Sequence, residues 1–193
     1  MQIINNPTRK DWKDVLKRPT QTVDDIEATV TQIFDEVIKD GDKAIKKYTS
    51  QFDGVDLKLN VVTIDEIEKA IYSIPEKLQN AMQKAKNNIE VFHKAQKTPK
   101  VEVETSKGVQ CWQEKRPIQK VGLYIPGGTA PLFSSVLMLA IPAQIAGCRE
   151  IVLATPPNKK GKINPAIIYA AQQCGVTKII KVGGIQAIAG LTF

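Results

Sequence analysis

Two glycine-bearing runs in this 193-residue chain have residue types and spacing that could do chemistry: Tyr124-Ile-Pro-Gly-Gly-Thr129 and Val182-Gly-Gly-Ile-Gln186. Each follows an apolar, β-forming segment and precedes a helix-like one. Glycines in that position let backbone amides approach a phosphate or a sugar at a helix N-terminus. Neither run has the G-x-G-x-x-G or P-loop spacing, so spacing alone leaves plain turn glycines and a ligand-facing loop both open. Acid-base chemistry has few candidates nearby. After residue 120 the one carboxylate is Glu150 and there is no histidine. A carboxylate pair, a Ser-His-Asp triad or a His/Asp metal cage therefore cannot be assembled within that stretch.

The elements that must position these runs alternate in type. Val121–Ile125, Glu150–Ala154 and Lys178–Val182 read as short buried strands, and segments 134–146 and 166–174 read as the helices between them. Asn164-Pro165 suits N-cap and N1, and Gly147 and Gly175 suit the helix ends. A strand–helix unit of about 30 residues is the mark of a parallel βαβαβ sheet. Pro142 falls inside the first of these helices and is expected to kink or shorten it.

The front of the chain reads as helical. Val23, Ile26, Val30, Ile33, Phe34 and Val37 form a stripe at helical period, with Asp24 and Asp25 suited to the first turn. A shorter helix through Ala44, Ile45 and Tyr48 leads to a turn at Phe52-Asp53-Gly54. Thr63 and Glu66 have the spacing of a capping box. After Pro75, a helix over 76–96 carries Leu78, Met82, Ala85, Ile89 and Phe92 on one face. His93 lies beside that stripe with no second ligand at i+3 or i+4, so it reads as an ordinary helix histidine. The period then changes from 3.6 to 2, and Val101–Glu104 and Val109–Trp112 predict a β-hairpin. The fold class expected is α/β: an N-terminal tail (1–20), a helical region with a β-hairpin (21–118) and a partial Rossmann-like parallel sheet (119–193).

Composition is that of an ordinary globular protein, with 42% hydrophobic and 24% charged residues and a formal charge of +7. The basic residues are spread along helices without aromatic-basic stacking motifs, so no nucleic-acid partner is expected despite the Lys159-Lys160-Gly-Lys162 loop. The longest apolar stretch is too short for a bilayer, so no membrane partner is expected either. The first ten residues lack a secretory leader's apolar core, which makes the cytoplasm the expected location. Cys111, Cys148 and Cys174 are too scattered for a metal or redox pair and read as structural thiols.

Read as text, the run 121–132, with Val136–Ala143, Ala146-Gly-Cys148, Glu150–Pro157 and Lys181-Val-Gly-Gly-Ile-Gln-Ala-Ile-Ala189, closely resembles histidinol dehydrogenase. Asp40–Thr49, Phe52-Asp-Gly54 and Asn88–Gln96 resemble the helical front of the same family. The resemblance implies oxidation of L-histidinol through the aldehyde to L-histidine with two NAD molecules, the last steps of histidine biosynthesis, by a zinc-dependent homodimer. It also implies that the family's Glu-His base, its Gln, His, Asp and His around zinc, and a further NAD-contacting Asn belong to sequence beyond Phe193. No catalytic and no metal-ligating residue is thus carried over. Two NAD contacts are: the Tyr of the LY-x-PGG run, Tyr124, and the Gln of the GG-x-QAIA run, Gln186, with closer backbone contact from Pro126, Gly127 and Gly128. Ile185 stands where the family more often has Ala, a bulkier neighbour for Gln186. At less than half the family's length, the 193 residues alone are expected to show no turnover, and the alternative reading is a non-catalytic module with weak nucleotide affinity. Each Leu, Ile or Phe left exposed forfeits about 1.5–3 kcal/mol, so self-association is expected to cover part of the apolar surface.

Overall fold

A computed structural model describes residues 4–17, 23–128 and 130–193, without the side chains of Val23–Asp25. Readings that fall on the rest of the N-terminal tail, on the Asp24/Asp25 first turn and on Thr129 lie outside the described residues. The chain divides into two compact units, Met1–Gln32 and Ile33–Phe193. In the first, a single helical turn α1 (Trp12–Val15) is preceded by Asp11, whose carboxylate accepts from the Thr8 hydroxyl at 2.7 Å. Helix α2 (Val23–Asp40) begins in this unit.

In the second unit, the expected stripe of α2 is met at Ile33 and Val37, which bury against Ala44 and Tyr48 of α3 (Asp42–Tyr48). A π-helical turn, Thr49–Asp53, continues α3 and ends on Gly54, where a simple turn was expected. Helix α4 (Ile64–Ser73) opens with the predicted capping box: Thr63 Oγ1 accepts from the Glu66 amide and the Glu66 carboxylate accepts from the Thr63 amide. Helix α5 (Glu76–Ala95) buries Met82, but its stripe stops short of the expected Phe92, which is exposed and edge-on to His93.

Strands β1 (Glu102–Ser106) and β2 (Val109–Trp112) form the predicted antiparallel hairpin, exposed on both faces. Strands β3 (Lys120–Tyr124), β4 (Glu150–Thr155) and β5 (Lys178–Lys181) form a parallel sheet in the order β3-β4-β5, with Tyr124, Ala154 and Ile180 side by side. One face of this sheet packs Ile125, Leu153 and Ile179 against α6 (Phe133–Ala146) and α7 (Pro165–Gln173). The other carries α8 (Gly184–Thr192), whose Ala187 packs with Ala154 and Val182. This is the α/β architecture the strand–helix spacing predicts. One pairing goes beyond it: Val62 donates to the Ile179 carbonyl and Lys181 to the Asn60 carbonyl, so a short segment adds antiparallel to the β5 edge.

Pro142 does not shorten α6, which runs on to Ala146 and ends at Gly147 in the left-handed region. A proline at 142 removes the donor that the Met138 carbonyl would use, and Met138 is half exposed, so water can serve that carbonyl. Asn164 caps α7 as predicted, its side chain accepting from the Ala166 amide at 2.9 Å. Of the three free thiols, Cys174 fills the core. There burial pushes its pKa up to about 11, which fits an unreactive thiol. Cys111 departs from the structural reading, because β2 has no buried face and the thiol is exposed.

Candidate functional site

The carboxyl ends of β3, β4 and β5 bring the two glycine runs to one edge of the sheet, with Pro156 from the β4 end between them. A methyl group on Gly127 would lie 2.6 Å from the Pro156 ring, and one on Gly183 would lie 2.6 Å from its Cβ. Both positions need glycine because the proline packs directly on their α-carbons. Pro126, Gly127 and Gly128 are exposed there and line a cavity of about 360 Å3 together with Asn158, Lys162 and Asn164.

Around the first turn of α8 the structure brings together the two residues singled out in the sequence. Half-buried Tyr124 accepts the Gly184 amide hydrogen on its hydroxyl at 3.0 Å. Two residues on, Gln186 is fully buried, and neither its amide nitrogen nor its amide oxygen has a partner. The Gln186 side chain folds back over Gly184: a methyl group there would lie 2.9 Å from Oε1, and the backbone sits at φ +61, so both contact and conformation call for glycine. Gln186 also lines a cavity of about 510 Å3 on the α8 face of the sheet, with Ile45, Val152, Ile180 and Leu191. Ile185 does not crowd it. Its side chain packs instead against the apolar cluster that holds Ile33, Val37, Ala44, Tyr48 and Ala189.

Sequence reasoning missed three further residues at this edge. Asp53, at the end of the π-turn, lies against Gly183, where a methyl group would be 3.0 Å from its Oδ1; its Oδ2 is buried without a partner. Burial raises the Asp53 carboxyl above its ordinary value, and the Gly183 backbone N–H pulls the other way without cancelling the effect. Lys181, 7% exposed at the end of β5, reaches Glu66 Oε1 at 2.7 Å. Burial pushes the Glu66 carboxyl up, but donors from Lys181 and Thr63 outweigh it and hold the group below its ordinary value. Pro156 is the third. The Thr155-Pro-Pro157 run signalled a strand end, and nothing local marked the proline as the spacer between two glycine turns.

Among the described residues no group of three or more His, Cys, Asp or Glu comes together to hold a metal ion. His93, on α5, makes a 2.7 Å contact with Gln96. No helix among the described residues is long and apolar enough to cross a membrane.

A parallel β–α–β–α–β sheet with glycine turns at its carboxyl edge and an unpartnered amide inside one of them defines an α/β protein of the kind that receives ligands at that edge. The comparisons narrow this class. The family model for histidinol dehydrogenase matches residues 16–193, and the chain belongs to that family. Histidinol dehydrogenase of Bacteroides thetaiotaomicron is 52% identical over 193 residues, all of this chain and 45% of that protein. The enzyme of Escherichia coli O157:H7 is 48% identical over 190 residues, 98% of this chain and 43% of that protein. The crystal structure of histidinol dehydrogenase from Elizabethkingia anophelis superposes with a TM-score of 0.90 at 49% identity, covering 97% of this chain and 43% of that one. The chain thus spans less than half the length of the curated relatives it matches.

Proposed function

We propose that this chain carries the nucleotide-facing part of a histidinol dehydrogenase, with residues 119–193 as its NAD-binding domain and Tyr124 and Gln186 as contacts to NAD. The activity proposed for the whole enzyme is the NAD-dependent oxidation of L-histidinol to L-histidine, in the cytoplasm. The observation that carries this reading is the Gln186 amide, fully buried with both polar atoms unpartnered. An orphaned buried donor or acceptor costs about 1–3 kcal/mol, and a ligand that satisfies it removes that cost. One donor and one acceptor on the same amide match the hydroxyls of a ribose. The Tyr124 oxygen already accepts from Gly184, which leaves its own O–H to donate to the same ligand.

When bound, NAD supplies the hydride acceptor, and the residues described here bind and orient it. The described residues offer zinc no ligand set, so no step is assigned to zinc in this part of the protein. The 193 residues alone are proposed to bind nucleotide without turnover. NADH production from histidinol, zinc and NAD above background would contradict that.

Self-association is also proposed. The hairpin supports it: Val101, Val103, Val109 and Trp112 are each at least half exposed, and a two-stranded sheet with no covered face is at best marginally stable by itself. The test of the nucleotide reading is calorimetric titration with NAD of the wild-type chain and of Tyr124→Ala. Binding that weakens about tenfold in the variant is expected. A non-catalytic module of the same fold would give the same heats, and a merely structural fragment would give none in either protein.

A further inference from the structure

We propose that Asp53 is a positioning residue for the nucleotide site: its carboxylate braces the Gly183–Gly184 turn, and through that turn it sets where the Gln186 amide and the Tyr124 hydroxyl point. The inference rests on the nucleotide reading of those two residues. Its geometry comes from three places. Oδ1 of Asp53 packs on Gly183 so closely that a methyl group there would be 3.0 Å away, and the second side of the same glycine is closed by Pro156 at 2.6 Å. The turn is therefore held between a carboxylate and a proline ring. The next residue, Gly184, donates its amide hydrogen to Tyr124 and carries the folded-back Gln186 side chain above it. A shift of the turn moves both contacts together.

The segment that delivers Asp53 is itself unusual. Thr49–Asp53 is a π-helical turn, a conformation that is rare and concentrated at functional sites. It is fixed at its other end by Tyr48, whose ring stacks on Phe52 with centroids 5.6 Å apart. An extra residue in the turn re-aims whatever follows it, which here is the Asp53 carboxyl. The carboxyl keeps one oxygen on the glycine and leaves the other, Oδ2, buried without a partner. The Gln186 amide, 0% exposed and unpartnered in the first turn of α8, is a second and independent observation that points to a ligand at this turn.

A carboxylate beside the N-terminus of α8 also decides what that ligand group is. The positive end of the helix, which in many α/β proteins takes a phosphate, already has a negative group against it. An uncharged, hydroxyl-bearing part of the nucleotide, the ribose, is the group that fits there.

The experiment compares wild-type chain, Asp53→Ala, Asp53→Asn and Tyr124→Ala by calorimetric titration with NAD, with circular dichroism confirming the fold. It also compares the Gly183 and Gly184 backbone amide resonances without ligand. Asp53→Ala is expected to weaken NAD at least tenfold and to shift both amides. Asp53→Asn keeps an acceptor for the turn and is expected to return NAD affinity to within threefold and the amides toward their wild-type positions. If the alanine variant does not fold, Asp53→Leu fills the volume without an acceptor and takes its place. Wild-type affinity in Asp53→Ala, beside weakened binding in Tyr124→Ala, would overturn the brace and leave the nucleotide reading standing. If the wild-type chain binds no NAD, the nucleotide reading has failed, and the amides judge the brace alone: resonances unmoved by Asp53→Ala overturn it.

Discussion

Two carboxylates from the helical front reach the carboxyl end of β5, and they are satisfied in opposite ways. At one joint Glu66 gives one oxygen to the Lys181 ammonium and the other to the Thr63 amide, so both ends of the pair are partnered. At the other, two residues along from that pair's lysine, Asp53 lies against Gly183 and Gln186 folds over Gly184, with Asp53 Oδ2 and the whole Gln186 amide left without partners. The first joint is complete within the protein and holds the strand. The second is incomplete within the protein, and that is the feature on which its proposed role as a binding site rests.

The contrast is broken most directly at the complete joint. Glu66→Ala strands the Lys181 ammonium, 8% exposed, and removes the carboxylate half of the α4 capping box, while Thr63 Oγ1 keeps its backbone donor. Unpairing a buried charge typically costs about 3–5 kcal/mol, and losing one half of a capping box costs at most about 1 kcal/mol. Because Glu66 is 28% exposed, solvent screens part of this, and a loss of about 3 kcal/mol is expected in denaturant unfolding. Lys181→Met, which strands no buried cation, should cost less than half as much. A Glu66→Ala variant within about 1 kcal/mol of wild type would erase the distinction between the joints.

At the incomplete joint the sign reverses. Gln186→Leu replaces an amide that has no partner with an apolar side chain of similar size, so the ligand-free chain should gain about 1–2 kcal/mol of stability while its heat with NAD falls below detection. Thermal unfolding of the ligand-free variant and calorimetric titration with NAD read the two effects. Lower stability in the ligand-free variant would show that the amide is serving the fold.

What the sequence revealed and what it hid divide along the same line. The capping box at Thr63, the Asn164-Pro165 helix start and the Gly147 helix end were legible because each is set by residues within one turn of one another. The three parallel strands were legible because each is written as a short apolar run of β-forming residues closed by a turn signal. Tyr124 and Gln186 were singled out by motif resemblance and not by spacing, and the bond that ties Tyr124 to the turn before Gln186 was hidden, since 60 residues separate Tyr124 from its donor Gly184. Asp53, Lys181 and Pro156 gave no local signal at all. An aspartate before glycine reads as a turn, a lysine at a strand end reads as a surface cation, and Pro-Pro reads as a strand terminator. Only the fold turns them into a brace, a buried ion pair and a spacer. The Asn60–Val62 edge was hidden for the same reason: its partners lie in β5, more than 100 residues away.

The smallest effect sharpens the comparison furthest, because the two carboxylates should titrate with opposite consequences. Glu66 is held below its ordinary value of 4.5. Its contribution to stability is therefore present above pH 4.5 and is lost as pH falls through the lower, folded value. Asp53 is raised above its ordinary value of 3.8 by burial. The folded state binds its proton more tightly than the unfolded chain does, so its contribution is fully present below pH 3.8 and is lost as pH rises through the folded value. Comparing wild type with Glu66→Gln and with Asp53→Asn by urea unfolding between pH 3 and 7 separates the two. The advantage of wild type over Glu66→Gln should shrink toward low pH, while wild type should gain on Asp53→Asn over the same descent. Parallel slopes for the two variants would mean that both carboxylates are partnered alike, and the incomplete joint would lose its claim to be a site.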